Sequence, residues 1–317
     1  METPLSHIVR AVREHPGLTR KRENLLVAGL CTGGPFADAA TAAVGDKMVA
    51  GACDAILPEL CAAAPRFAGR CAVLAVVNDL AAAGARPLFF LNSLAAPDQH
   101  TLEELAGGMA EASELFEIPC GGGHLLPLGS AAAVTAAGVG VLAGPPPPGT
   151  VSPGDALILC AALRGGRPPA YRYAYDATFC MGDPPRVRAW YRTLESVFAD
   201  GLAVAAKDVA NAGFAGTLAL LLEASRAGAR VDLGRVLPPA GLPLVDWLLT
   251  FPSFGFALAA APEDAPGVLA RLRGAGLWAD TVGEATDGAK VTLCLAGRSA
   301  TLFDWDKEGI LSHPPEA

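Results

Sequence analysis

Runs of apolar residues broken by proline and glycine divide the first half of the chain into alternating helices and strands. The apolar residues Ile8 and Val12 recur at helical spacing ahead of Pro16-Gly17, which predicts a helix that starts at Thr3-Pro4. A capping box formed by Thr101 and Glu104 predicts the start of a later helix. Between these helices the pattern predicts a loop over 30–46, a strand over 48–57, a helix over 67–83 and a strand over 87–94.

The clearest internal boundary is the segment 144–149, which contains four consecutive prolines. Such a run is extended and semi-rigid, and it cannot donate hydrogen bonds to a β-ladder. We therefore expect an N-terminal domain over 1–148 and a C-terminal domain over 149–317, since 317 residues suit two domains of ordinary size. The second half predicts strands at 156–163, 254–260 and 290–295, and helices at 186–206, 218–224 and 265–272. Each domain is expected to be an α/β sandwich.

Composition and charge narrow the classes of partner. The chain is 52% hydrophobic and 6% aromatic, with a formal net charge of -8. An acidic chain repels polyanions, so no nucleic-acid partner is expected. The adjacent cations Arg20, Lys21 and Arg22 are typical of a solvated segment, with a binding role as the alternative. The longest run of small apolar residues, 131–143, is shorter than the roughly 20 residues of a membrane span, so no membrane partner is expected.

Cysteine usage favours a reducing compartment. The eight cysteines occur singly, without a C-x-x-C pair, which disfavours a structural zinc site. Charged residues interrupt the first predicted helix, so the N-terminus does not resemble a signal peptide. Single cysteines in such a chain are typical of small buried hydrophobic residues. We expect a cytoplasmic protein.

Lone carboxylates in apolar segments are the first candidates for chemistry. Asp79 lies near the C-terminal end of an almost entirely apolar predicted helix, where burial and the helix dipole both disfavour a negative charge. Asp54 is a single acid on an apolar predicted strand, and Asp46 precedes that strand in a Gly-Asp pair that is also common in turns. Several such acids supply the oxygen ligands that Mg²⁺ requires. Ion pairs with the protein's own basic residues are the alternative.

Two glycine-bearing segments could bring the backbone close to a phosphate. Gly122 and Gly123 precede His124 after a short predicted strand over 118–120, and glycine allows a close approach of backbone N–H groups to an anion. A tight turn is the alternative. Asp208 begins a Gly-bearing connection between two predicted helices, where a helix N-cap is the alternative to a binding role.

An ordered set of motifs resembles a known superfamily. The segment 77–88 reads VNDLAAAGARPL and strongly resembles the motif V-N-D-hydrophobic-x-x-x-G-A-x-P-L of the aminoimidazole ribonucleotide synthetase superfamily. Thiamine-monophosphate kinase, selenophosphate synthetase and a hydrogenase maturation protein share that motif. The block at 122–124 resembles the superfamily signature G-G-[EDH]-T, and the segment 207–214 resembles its D-[VI]-S-x-G-G-[LF].

Further motifs point to one branch, the uncharacterised proteins related to aminoimidazole ribonucleotide (AIR) synthase. The segment 67–73, FAGRCAV, is similar to that branch's W/F-A-G-Y-C-A/S-V. The segment 251–256, FPSFGF, is similar to its [YF]-P-S-F-G-F, and 17–21, GLTRK, to its G-[LV]-x-x-K. These motifs extend over nearly the whole chain in the expected order.

The resemblance implies a PurM-like two-domain fold of the α/β (α+β) class. In that fold the N-terminal domain forms a β-barrel with its partner in a homodimer, and the C-terminal domain is an α/β sandwich. ATP would bind beside the subunit interface with Mg²⁺, and phosphoryl transfer to a small-molecule substrate would follow. The implied metal ligands are Asp46, Asp54 and Asp79; the implied ATP or phosphate ligands are Lys47, Asn78, Gly122, Gly123 and Asp208; the implied catalytic residues are Asp54, Asp79 and His124.

Three departures from these motifs keep more than one function open. The usual G-D-D is Gly45-Asp46-Lys47, in which a cation that could itself hold a phosphate replaces a carboxylate. The threonine of G-G-x-T is Leu125, and S-x-G-G is replaced over 210–213. The leading hypothesis is an ATP-dependent phosphotransferase or synthetase, and the alternative is a non-catalytic nucleotide- or metabolite-binding protein. A third hypothesis, a selenophosphate-like reaction, would use Cys31 as nucleophile.

Overall fold

The computed structural model describes residues 4–26, 30, 37–169 and 171–311, so Cys31 lies outside the described residues. The N-terminal segment folds into helix α1 (Pro4–Arg13), helix α2 (Pro16–Thr19) and a 3-10 helix (Arg20–Leu26). Helix α1 buries Leu5, Ile8 and Val12, whose spacing places them on one helical face. The first predicted helix is therefore confirmed over its described residues.

The N-terminal domain is a mixed sheet with helices on one face. Its strands are β1 (Ala40–Val44), β2 (Lys47–Ala55), β3 (Ala85–Ala95), β4 (Cys120–Leu125) and β5 (Ala133–Leu142), in the order β1-β2-β5-β3-β4. The pair β3–β4 is parallel, and the other pairs are antiparallel. The described sheet is open in a single chain, so a closed barrel requires strands from a second copy.

The helices of this domain are α3 (Pro58–Ala63), α4 (Pro65–Ala82) and α5 (Gln99–Phe116). Helices α4 and α5 pack with their backbones almost in contact. A Cβ atom added to Gly69 would lie 2.1 Å from the Leu105 carbonyl oxygen, and one added to Gly108 would lie 1.9 Å from that of Arg66. Glycine at these two positions therefore sets the spacing between the helices.

The C-terminal domain is an α/β sandwich built on a larger sheet. Its strands β6 (Ala156–Ala161), β8 (Ala205–Asp208), β9 (Gly228–Asp232), β11 (Gly255–Ala260), β12 (Trp278–Thr286), β13 (Lys290–Leu295) and β14 (Arg298–Asp304) have the order β14-β13-β9-β12-β6-β11-β8. Strands β7 (Ala174–Tyr175) and β10 (Phe251–Pro252) form a separate parallel pair. The helices are α6 (Pro184–Ala199), α7 (Gly213–Ala224), α8 (Leu244–Leu248) and α9 (Ala265–Gly274). Every residue of the central strands β6 and β11 is buried.

Several sequence predictions of local structure were wrong. The loop expected over 30–46 contains strand β1, which pairs with β2 in a hairpin. The capping box at Thr101 is not the start of α5, because Asp98 is the N-cap and its carboxylate accepts the Thr101 N–H at 2.8 Å. The helix expected over 186–206 ends at Ala199, since Gly201 has a φ of 69° and the chain then enters β8. Strands β9, β12 and β14 were not predicted.

The proline-rich segment lies between β5 and β6, and its use as the domain boundary stays a prediction, as does the cytoplasmic location. Among the described residues, no helix is both long and apolar enough to cross a membrane.

Candidate functional site

Three carboxylates from distant parts of the chain converge where the two domains meet. Asp38 precedes β1, Asp79 lies in the last turn of α4, and Asp208 ends β8. One oxygen atom of each lies within 4.8 Å of the others. Asp208 is buried, and the other two are partly buried. We call these three residues the acidic cluster.

Local sequence explains why each acid reaches this point. Helix α4 is apolar on most of its surface, so Asp79 occupies one of its few partly exposed positions near the C-terminal end. Strand β8 pairs with β11 so that Asp208 lies opposite Phe256, at the end of the ladder and next to the loop that leads into α7. Asp38 arrives from the segment that enters the first hairpin. The cluster therefore depends on the packing of the two domains.

Among the described residues, the basic side chain that contacts the cluster directly is that of Lys207. Its Nζ atom forms an ion pair with Asp38 Oδ1, and both side chains are largely buried. The other oxygen, Asp38 Oδ2, is buried and has no hydrogen-bond partner within the described residues. A buried carboxylate oxygen without a partner is costly, so this atom indicates a missing cation or donor.

Burial and the neighbouring acids raise the pKa values of Asp79 and Asp208. Burial raises the pKa of Asp79 well above its usual range, and the nearby carboxylates of Asp208, Asp38 and Asp54 raise it further. Burial also raises the pKa of Asp208 to about 7, an effect that Asp38 increases and Lys207 opposes. Negative charge in the cluster therefore exceeds the positive charge that Lys207 supplies.

The donor set of the cluster fits Mg²⁺. The three residues offer only carboxylate oxygens, which are the ligands that this ion prefers together with water and phosphate oxygens. Asp38 Oδ2, which has no partner among the described residues, is a ligand atom available to such an ion. Asp38, Asp79 and Asp208 are thus the residues that could hold a magnesium ion.

A cavity of about 390 Å³ opens beside the acidic cluster. Asp54 and Asp208 line it on the acidic side, and Arg20 and Lys21 line it from the N-terminal segment. The basic segment that the sequence indicates to be solvated thus contributes two cations to the wall. The remaining wall is mostly apolar and includes Leu57, Leu60, Phe67 and Phe251. This cavity could hold an anionic molecule with an apolar part.

Asp54 lies on β2 and is open to this cavity. Burial in the cleft raises the pKa of its carboxyl, although the Ala55 N–H donates a hydrogen bond to Oδ1 at 2.7 Å. Asp38, Lys207 and Thr41 contribute to the wall of a second cavity of about 290 Å³. Two members of the acidic cluster, Asp208 and Asp38, therefore each line a cavity.

The structure places Asp38, rather than Asp46, beside Asp79. Asp46 lies in the β1–β2 turn with an exposed side chain, and Lys47 is 3.8 Å from it. Asp46 directly precedes β2 and Asp54 lies near the other end of that strand, eight positions away, so the two are about 26 Å apart along the extended chain. The expectation that Asp46 shares a metal site with Asp54 and Asp79 is therefore not met within one chain. Lys47 lies at the same hairpin turn and is likewise away from the cluster.

The glycine block forms the edge strand β4, so the alternative of a tight turn is wrong. Asp54, Ala136, Asn92 and Gly123 are successive partners across the sheet, so Gly123 lies three strands from Asp54, about 14 Å away. A Cβ atom on Gly123 would lie 2.3 Å from Asn92 Oδ1, which gives this glycine a packing role. Gly122 has a φ of 140° that favours glycine, and His124 is exposed on the edge strand. A single chain does not bring these residues to the acidic cluster.

Asn78 connects the domains. It is fully buried on α4, where its Nδ2 atom donates to the Ser253 carbonyl oxygen at 3.3 Å. The Tyr191 hydroxyl, on α6, donates to Asn78 Oδ1 at 2.7 Å. The expected phosphate-binding role of Asn78 stays a prediction, since its amide already has protein partners at both atoms. Its contacts stabilise the domain junction that assembles the cluster.

Sequence reasoning missed Asp38 and Lys207 as site residues. Asp38 interrupts a run of small apolar residues just before a strand, which is the same signal that singled out Asp54. The signal was overlooked because the whole stretch was assigned to a loop. Lys207 precedes Asp208 directly. Successive side chains of a strand point to opposite faces of the sheet, so the sequence does not indicate that both residues are buried, as they are.

The two α/β domains have the fold of the PurM-like class of proteins. Residues 36–142 match the family described as AIR synthase related protein, N-terminal domain, and residues 152–295 match its C-terminal domain. The chain belongs to the AIR synthase related family.

Similar proteins extend over most of the chain. An uncharacterised protein of Synechocystis sp. is 33% identical over 256 residues, which cover 80% of this chain and 78% of the relative. An uncharacterised protein of Methanocaldococcus jannaschii is 29% identical and covers 77% of this chain and 76% of the relative. PurL of Thermotoga maritima, solved in complex with ATP, superimposes with a TM-score of 0.71 at 20% identity over 88% of this chain. This chain spans 47% of that protein's length, and the likeness shows the shared fold.

Proposed function

We propose that this protein is an ATP- and Mg²⁺-dependent phosphotransferase or synthetase that acts on a small metabolite. The observation that carries the proposal is the acidic cluster, in which Asp38 Oδ2 is buried without a partner among the described residues and Asp208 lines a cavity of about 390 Å³. Clustered carboxylates with raised pKa values beside a cavity are typical of sites that bind a metal ion and a charged ligand.

The residues around the cleft divide into three roles in this proposal. Asp38, Asp79 and Asp208 would hold Mg²⁺, which supplies charge stabilisation to the phosphoryl oxygens when bound. Arg20 and Lys21 bind an anionic group in the adjoining cavity, because guanidinium and ammonium groups are the usual protein partners of phosphate. Asp54, whose pKa burial raises, accepts the proton of the attacking hydroxyl or amine.

ATP is proposed on two grounds. The family includes proteins of the PurM-like fold, and the Thermotoga maritima PurL was solved with ATP. The acidic cluster also needs a phosphate-bearing ligand in the proposal, since Mg²⁺ in phosphoryl-transfer sites is held by a few carboxylates together with substrate phosphates. The substrate itself is left at the level of a small molecule, because function follows the site and not the fold.

We further propose a homodimer that joins the N-terminal sheets by their uncovered faces. The face opposite α4 and α5 carries half-exposed apolar side chains, among them Val49, Phe89, Leu91, Val139 and Val141. An uncovered sheet face that carries apolar side chains is typical of an interface. The dimer would also bring the hairpin and the β4 edge of one copy near the other.

A non-catalytic nucleotide-binding protein is the second candidate. It is favoured by Leu125, which is exposed at the end of β4 where the superfamily signature has a hydroxyl-bearing residue. The replacement of a carboxylate by Lys47 in the G-D-D motif gives the non-catalytic candidate little support. Lys47 lies at the hairpin turn, and the acid beside Asp79 is Asp38. Phosphate release with substrate separates the two candidates.

Isothermal titration of the full chain with ATP, with and without Mg²⁺, tests the proposal. We expect ATP binding that requires Mg²⁺ and that Asp79→Asn weakens at least tenfold, since a carboxylate ligand is lost. The matched control is Asp183→Asn, at the exposed N-cap of α6, which should leave ATP affinity unchanged. No ATP binding, or binding insensitive to Asp79→Asn, would contradict the proposal. Steady phosphate release in the presence of metabolite fractions would exclude the non-catalytic candidate.

A further inference from the structure

A cavity of about 280 Å³ lies between the domains, away from the acidic cluster. Its wall is formed by the start of β3, the end of α5 and one side of α6, together with Val77 and Ala81 of α4. Asp79 lies between Val77 and Ala81 in sequence, and two positions along a helix correspond to a rotation of about 200°. This cavity therefore faces the side of α4 opposite to the acidic cluster. It shares no lining residue with the two cavities beside that cluster.

Arginine side chains from both domains line this cavity. Arg188 is already occupied, because it forms an ion pair with Glu117 at 3.0 Å and donates to the Leu115 carbonyl oxygen at 2.9 Å. Arg86 and Arg192 also line the cavity, and neither side chain has an ion pair or hydrogen bond within the described residues. Two guanidinium groups, one from each domain, are thus available to a ligand in an acidic protein.

The rest of the wall is apolar, with one further acid. Val77, Ala81, Phe116 and Ile118 provide the apolar surface, and Tyr191 lies at the floor with its hydroxyl directed to Asn78. Glu195 also lines this wall, and unlike Glu117 its carboxylate has no ion pair in the described part of the chain. The combination of two free guanidinium groups and an apolar wall suits a small molecule with one anionic end.

We propose that this cavity binds a small phosphate monoester, with its phosphate on Arg86 and Arg192 and its organic part against the apolar wall. A phosphate monoester is close to a dianion above its second pKa of about 6, which matches two guanidinium groups better than a monoanion does. The planar guanidinium group also donates two parallel hydrogen bonds to phosphate oxygens. The site is independent of the proposed ATP site.

Titration of the full chain with phenyl phosphate at pH 8 tests this site. We expect one binding site per chain, weakened about tenfold or more by Arg86→Gln and by Arg192→Gln, because each loses a charge-assisted hydrogen bond. Glu195→Gln should strengthen binding, since it removes the nearby negative charge. Arg298→Gln, on the exposed start of β14, is the matched control and should leave the affinity unchanged.

Three probes separate the possible occupants. Inorganic phosphate should bind more weakly than phenyl phosphate, because it leaves the apolar wall unused. Benzoate, a monoanion of similar shape, should also bind more weakly. Equal binding by benzoate, unchanged affinity in both arginine variants, or full displacement of phenyl phosphate by Mg²⁺-ATP would overturn the proposal. Displacement by Mg²⁺-ATP would show that phenyl phosphate binds in the acidic cleft. If the chain does not bind ATP at all, the proposed phosphate-monoester site is unaffected.

Discussion

Lys207 pairs with one oxygen of Asp38, and the other oxygen has no hydrogen-bond partner among the described residues. The ion pair crosses between the segment that leads into β1 and strand β8 of the second domain, so it links the domains at the cluster. Lysine neutralises part of the negative charge, but the cluster also contains Asp79 and Asp208. With one of the three carboxyl groups protonated, the other two carry two negative charges against the single positive charge of Lys207. One negative charge of the cluster therefore stays unbalanced.

The first prediction compares Asp38 with Asp46, the acid that the superfamily resemblance implies as a metal ligand. Asp38→Asn should lower Mg²⁺ affinity at least tenfold, because it removes an oxygen ligand from the cluster. Asp46→Asn should leave Mg²⁺ affinity unchanged, because Asp46 is exposed in the hairpin turn. Isothermal titration with MgCl₂ measures both. The reverse ranking would show that the metal ligands come from the hairpin of a second copy.

The second prediction concerns pH. Burial and Asp38 hold the pKa of Asp208 at about 7, above its usual 3.8, so the native state binds more protons than the unfolded state between these values. The contribution of Asp208 to the free energy of unfolding is thus fully present below pH 3.8 and is lost as the pH rises through 7. Urea titrations from pH 5 to 8 should show this decline without metal, and a smaller decline in Asp208→Asn.

Magnesium should reverse that trend. Its binding requires ionised carboxylates, so Mg²⁺ affinity should rise with pH over the same interval and binding should release protons. Titrations in two buffers of different ionisation enthalpy count the released protons. A Mg²⁺ affinity that is constant from pH 5 to 8 would mean that the raised pKa values of Asp79 and Asp208 do not govern the metal site.

The sequence predicted part of this arrangement for physical reasons. Asp54 and Asp79 stood out because single acids in apolar segments are costly, and that cost is the same whichever fold surrounds them. Asp38 and Lys207 come together only through the packing of two domains, over a separation of 169 residues that no local pattern reports. Strands β9, β12 and β14 carry mixed polar and apolar residues, so their pattern did not distinguish them from loops.

The third prediction concerns the domain junction. Tyr191→Phe should lower the free energy of unfolding by about 1–3 kcal/mol, because buried Asn78 Oδ1 loses the hydroxyl that donates to it. Tyr173→Phe is the matched control, since the Tyr173 hydroxyl has no hydrogen bond in the described part of the chain while its ring packs against His15 and Tyr171. Urea denaturation followed by fluorescence measures both. Equal stability of the two variants would show that the Tyr191–Asn78 bond adds nothing to the junction.

The fourth prediction concerns the uncovered face of the N-terminal sheet. Leu91 is 41% exposed in the chain and is the register partner of Ala137 in β5, which places both on the face away from α4. If a second copy covers this face, Leu91→Glu places a charge in an apolar interface, and burial of an unpaired charge costs several kcal/mol. We therefore expect the wild-type chain to elute at about twice 32.2 kDa in light scattering, and Leu91→Glu to elute as a monomer.

The matched control for the dimer is Leu237→Glu, because Leu237 is 53% exposed on the second domain, away from the sheet face. This variant should keep the mass of the wild type. Mg²⁺-ATP affinity of Leu91→Glu adds a second reading, since the superfamily resemblance implies ATP beside the subunit interface. A monomeric wild type that binds Mg²⁺-ATP would contradict the dimer while leaving the acidic cluster as the binding site. A dimeric Leu91→Glu would instead mean that the copies meet through another surface.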